Sequence, residues 1–159
     1  MRIRLLLLLS LTAFLLAAAD KYAGPRPPKP DLPYLLHADH LVPTEVGEAR
    51  EENHKNESVF TIPGATSSAR TPLSEPIFII DAQQLAADRI ELYKLEVRNG
   101  NREASVNQKR RKGSSRPIHL LVTHLSDHLY RIEADEPLEN GEYSLSPNDS
   151  NKVFCFEIY

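Results

Sequence analysis

The residues able to do chemistry in this sequence are six histidines, one cysteine and one dense basic run. His37-Ala38-Asp39-His40 places three potential metal ligands within four residues. His119, His124 and His128, with Asp127 among them, form a second group. Either group would serve a His/Asp-dependent metal-binding protein or hydrolase. A zinc site needs three or four ligands converging at about 2.0–2.1 Å for nitrogen. His119 and His124 are separated by an odd number of residues, so on one strand they point to opposite faces. Ser126-Asp127-His128 has the residue types of a hydrolytic triad. Triad members converge from separate segments, however, and adjacent residues in a turn cannot do so. No G-x-S-x-G, H-E-x-x-H, Walker A or dinucleotide fingerprint is present. No catalytic, metal or cofactor site is therefore assigned from the sequence.

The basic run Lys109-Arg110-Arg111-Lys112 is the candidate anion-binding site, suited to an anionic glycan or a lipid headgroup. Nucleic-acid readers interleave aromatics with such charges or place them on a helix, and this run does neither. Cys155 stands alone, so no internal disulfide forms. Its setting, Val153-Phe154-Cys155-Phe156, reads as a strand, which makes it a packed thiol.

The elements that must carry these residues read as β. Ser58 to Ile62 is a short strand ended by Pro63-Gly64, and Pro76 to Ile80 is a strand buried on both faces. Ala82 to Asp88 suggests a brief helical turn. Ile90 to Arg98 and Asn101 to Val106 flank Asn99-Gly100, the residue pair a type I′ hairpin turn requires. Ile118 to His124, Leu129 to Glu133, Glu142 to Ser146 and Val153 to Tyr159 complete the pattern. Phe154, Phe156 and Ile158 alternate inward on the last of these. Strands spaced by turn chemistry predict an all-β fold, an antiparallel sandwich or small barrel, with an Ig-like arrangement among the options. One domain is expected over 57–159.

The first part of the chain reads differently. Arg2 and Arg4 precede an apolar run from Leu5 to Leu16, and Ala17-Ala18-Ala19 supplies a small-residue cleavage site. These are the three regions of a secretory signal peptide over 1–19. The run is shorter than the about 20 apolar residues a spanning helix needs. No membrane span is expected after cleavage. Removing Arg2 and Arg4 from 19 Lys+Arg leaves 17 against 22 Asp+Glu, a net charge of −5. That balance argues against general affinity for nucleic acid. Residues 20–56 are expected to form a proline-rich, largely irregular arm. Five prolines fall between Pro25 and Pro33, and proline fixes φ while donating no N–H. Within the arm, Thr44 to Glu52 is charged and suggests a short exposed helical turn.

The segment Pro137-Leu138-Glu139-Asn140-Gly141-Glu142-Tyr143-Ser144-Leu145, followed by Val153-Phe154-Cys155-Phe156, resembles the ending of small exported bacterial β-domain proteins. Lys29 to Asp39 resembles their proline-rich start. The resemblance implies export and an all-β body, and it implies no activity. Gly141 is expected to reverse the chain, Glu142 to accept from backbone N–H groups, and Tyr143 to bury its ring with its hydroxyl at the surface. The expectation is thus an exported, periplasmic or secreted, non-enzymatic binding or scaffolding domain. Its partner in the envelope or outside the cell is unknown.

Overall fold

The computed structural model describes residues 22–55, 57–107 and 115–159. The fold over these residues is all-β, with a single 3-10 turn at Ala87–Arg89 and no α-helix. No helix among them is long and apolar enough to cross a membrane.

Among the described residues, thirteen strands form two sheets. The smaller sheet has the order β10-β11-β7-β1-β2, from Leu120–Ser126, Leu129–Ala134, Ile77–Asp81, Tyr34–His37 and His40–Pro43. The larger has the order β3-β13-β12-β8-β9-β5-β4. Its strands are Glu45–Glu48, Lys152–Ile158, Gly141–Pro147, Ile90–Arg98, Asn101–Asn107, Glu57–Pro63 and Arg50–His54. A two-residue strand β6, Arg70–Thr71, joins β13 in parallel. Every other pairing between strands is antiparallel.

The ends of the larger sheet, β3 and β4, are consecutive in the chain and separated by Ala49 alone. Two edges joined by one residue cannot be far apart, because successive Cα atoms span only about 3.8 Å. The sheet must therefore curl until its edges meet. One bent strand, β3 and β4 together, pairs with β13 by its first half and with β5 by its second. The result is a curled, half-barrel sheet, hereafter the barrel, with Ala49 at the corner, where its N–H donates to the Asn151 carbonyl at 2.7 Å. Between β8 and β9, which pair only near their shared hairpin, residues 115–118 fill the gap. Ser115 N–H donates to the Ser105 carbonyl and Ile118 N–H to the Leu92 carbonyl.

Strict alternation gives β8, β12 and β13 two buried faces. Leu92, Leu145, Phe154, Phe156 and Ile158 face the smaller sheet and meet Leu35, Phe78, Ile80 and Ile132 there. Phe156 sits edge-on to Phe78 at 4.9 Å and stacks on Tyr143 at 5.4 Å. The intervening residues Leu95, Val153 and Cys155 turn into the barrel and join Ala49, Ile62 and Ala104. Phe154, Phe156 and Ile158 thus point inward as the sequence indicates, and their neighbours are buried on the opposite side. Burial in this second core pushes the Cys155 thiol up to about 12, which fits a packed, unreactive sulfur.

Several local expectations match the structure. Asn99 and Gly100 adopt φ of 50° and 78°, the type I′ requirement. The 3-10 turn at Ala87–Arg89 overlaps only the end of the helical turn expected over 82–88. Gly141 has φ of 150°, and a Cβ there would lie 3.3 Å from the Lys94 side chain. The Tyr143 ring is buried, but its hydroxyl donates to the Glu139 carbonyl at 2.8 Å instead of reaching water.

The irregular arm over 20–56 is corrected from Tyr34 onward, since β1 to β4 occupy residues 34–54. The helical turn over Thr44 to Glu52 is likewise replaced by β3 and β4. Tertiary pairing overrides local preference here. Thr44, at the corner between β2 and β3, donates both N–H and hydroxyl to the Pro33 carbonyl. The body therefore begins well before residue 57. Even the proline-rich stretch is fastened, because Asp31 accepts from the backbone N–H groups of Gln83, Gln84 and Leu85 at 2.9–3.0 Å.

Burial pushes the Asp31 carboxyl up, but the three N–H donors outweigh it and hold the group below the usual range. A carboxylate with a depressed folded pKa stabilises fully above its unfolded pKa of about 3.9 and loses that contribution as pH falls through the folded value. Asp31→Asn is therefore expected to lower the urea midpoint at pH 7, by an amount equivalent to about 1–2 kcal/mol. The deficit should shrink below pH 4. A deficit unchanged by acid would contradict the role of the charge.

Candidate functional site

Side chains entering the barrel divide it into a floor, a middle and a mouth. Three strands show the order from floor to mouth: Glu142, Ser144, Ser146 on β12; Leu95, Tyr93, Glu91 on β8; Arg102, Ala104, Val106 on β9.

The floor is ionic. Arg102 is 1% exposed. Its Nε donates to the Gly64 carbonyl at 2.9 Å, Nη1 to Ser67 Oγ at 2.6 Å, and Nη2 to Glu45 Oε1 at 2.6 Å and the Pro63 carbonyl at 2.9 Å. Glu142 lies 3.7 Å from Nη1. It accepts Ser67 N–H on both carboxylate oxygens at 3.1 Å and the Ser67 hydroxyl at 2.5 Å. Glu142 is thus the N–H acceptor the sequence suggests. Glu45 also accepts from Ser68 N–H at 2.7 Å. Burial raises the Glu45 carboxyl, and Arg102 with the Ser68 N–H more than offsets it, so the group lies below its ordinary value. Two carboxylates and a five-donor guanidinium close this end of the barrel.

Above the floor lies a cavity of about 190 Å³. Ala49, Phe60, Ile62, Leu95, Ala104, Val106 and Val153 give it an apolar wall. Toward the mouth the lining turns polar through Tyr93, Glu91, Ser144, Ser146 and the Pro147–Asn151 turn. Tyr93 donates to Glu91 at 2.6 Å, and burial together with that bond raises its phenol well above the ordinary value. Ser144 and Ser146 bond to each other at 3.1 Å. Arg89 fixes the mouth turn by pairing with Asp149 at 2.5 Å.

The histidine groups do not converge. His37 bonds Thr71 Oγ1 at 3.0 Å, and His40 pairs with its neighbour Asp39 on the surface. His119 pairs with Asp135 at 3.2 Å. His124 donates to the Asp127 carbonyl at 2.8 Å and meets the Tyr130 ring at 5.1 Å. Among the described residues no three His, Cys, Asp or Glu side chains gather as a metal site. Ser126-Asp127-His128 forms the β10–β11 turn, with Asp127 at φ 47° and Ser126 Oγ accepting from Arg26. Lys109, Arg110, Arg111 and Lys112 lie outside the described residues.

The barrel residues escaped the sequence reading, although Arg102, Ala104 and Val106 share a strand face at period two. An arginine alternating with small apolar residues was the available signal. Comparison of the chain with protein-family models, curated proteins and solved structures finds no match.

Proposed function

We propose that this chain is an exported, non-enzymatic binding domain whose small ligand enters the barrel cavity. The signal-peptide pattern over 1–19 supports export, to the periplasm or beyond the cell. We read the architecture as a small barrel with a second sheet packed on its outside as in a sandwich.

The single observation that carries the reading is the cavity itself. It has an apolar wall and a polar rim. For scale, an apolar cavity of about 150 Å³ suffices to bind benzene. A ligand here is therefore small, well below the 300–1,000 Å³ usual for drug-sized molecules. The groups present suit holding. The two serines bond each other, the Cys155 thiol is pushed up to about 12, and the tyrosine is occupied by Glu91.

Hexan-1-ol, slender and uncharged, is the test probe. Titration calorimetry should detect saturable binding to the protein. Ala104→Leu places a branched side chain into the wall and should weaken that binding at least about tenfold, corresponding to 1.4 kcal/mol. Ser146→Leu, at the mouth, should act in the same direction. Unchanged affinity in both folded variants would overturn the assignment.

A further inference from the structure

We infer that the ligand of this cavity is a small primary amine carrying a slender apolar body. The inference rests on the binding role proposed above and adds the chemistry of the head group. The rim residue Glu91 projects from β8 on the cavity side and receives the Tyr93 hydroxyl on Oε2. Among the described residues Glu91 takes part in no ion pair, whereas Asp149, the other rim carboxylate, is paired with Arg89. No lysine or arginine lines the cavity among the described residues. The fixed charge beside the apolar wall is therefore negative, and it is held in position by a bond from a half-buried tyrosine.

An ammonium group satisfies this arrangement. It brings three donors to a rim offering Glu91, Ser144 and Ser146 as acceptors. The apolar body then follows the wall past Tyr93 toward Leu95 and Ala104. A carboxylate head would meet Glu91 as a like charge beside an apolar surface, where repulsion is poorly screened. A neutral hydroxyl makes the same apolar contacts but brings Glu91 a single donor and no opposite charge.

The experiment compares hexylamine, hexan-1-ol and hexanoate by titration calorimetry at pH 7, on the unmodified protein and on Glu91→Gln. Hexylamine should bind about tenfold more tightly than hexan-1-ol, because only the amine adds an opposite charge and further donors at Glu91. Hexanoate should bind more weakly than either. Glu91→Gln should erase the amine's advantage over hexan-1-ol, and a urea midpoint matching the parent's shows that the variant is folded. Equal affinity for amine and alcohol, or preference for hexanoate, would overturn the amine assignment and leave the cavity reading standing. Preference for hexanoate would direct attention to the basic run 109–112. Failure of all three probes to bind would overturn both.

Discussion

Replacing Arg102 with methionine is expected to destabilise the protein by about 3–5 kcal/mol, as breaking a buried ion pair from one side does. The side chain spans the barrel floor and satisfies two carboxylates, a serine and two carbonyls. Methionine fills much of the volume and supplies none of the donors. Glu142, only 5% exposed, would be left with Ser67 as its remaining support. The deficit should depend on pH with a definite sign. Without the guanidinium, the Glu45 carboxyl loses the largest group that offsets its burial, so its folded value rises. The variant's deficit then shrinks as pH falls and that group takes up a proton. A second variant, Arg102→Met with Glu142→Gln, should recover part of the loss at pH 7 by removing the orphaned charge. Urea unfolding at pH 7 and pH 5 measures all three effects. A single variant within 1 kcal/mol of the parent would show that the floor bears little of the fold.

Phe156→Ala is expected to cost a similar amount, about 3–5 kcal/mol, for a different reason. The ring is fully buried and joins the two sheets, touching Phe78 on β7 and Tyr143 on β12. Truncation removes apolar contact and leaves a cavity between sheets that pack near solid density. Its neighbour Cys155 points the other way, into the barrel. The variant should therefore lose stability while its affinity for hexan-1-ol stays near the parent value. Leu121→Ala, on a side chain 42% exposed, is the control and should fall within about 0.5 kcal/mol. A loss below about 1 kcal/mol at Phe156 would contradict the packing of the two sheets.

Much of the β pattern could be read locally, because turn chemistry and alternation act over a few residues. Asn99-Gly100 named its hairpin, and Phe154, Phe156 and Ile158 named their face. Residues 34–54 were illegible for the converse reason. Glu45, Glu48, Glu51 and Glu52 look like the charges of an exposed turn, yet β3 and β4 exist because β13 and β5 pair with them. The partner of β3 lies as far away as Lys152–Ile158, and no local window contains it. The curl of the sheet stayed hidden for the same reason, since it depends on Ala49 joining that distant pairing to the local one between β4 and β5. Arg102 was obscured by composition. Next to Glu103 it reads as a surface charge, and only its register opposite Ile62 and Val97 places it inside. Glu142 was read as an N–H acceptor, but its donor Ser67 lies 75 residues away, so the partner itself was not legible locally.

Methyl-resolved NMR of the protein titrated with hexan-1-ol tests most directly whether a ligand enters the barrel and no other surface. The structure predicts saturable shifts and ligand contacts at the methyl groups of Ala49, Ile62, Ala104, Val106 and Val153. Ile132 and Ile80, buried between the sheets, should be unmoved. Shifts confined to the exposed Leu121 edge, or none at all at saturating alcohol, would contradict it.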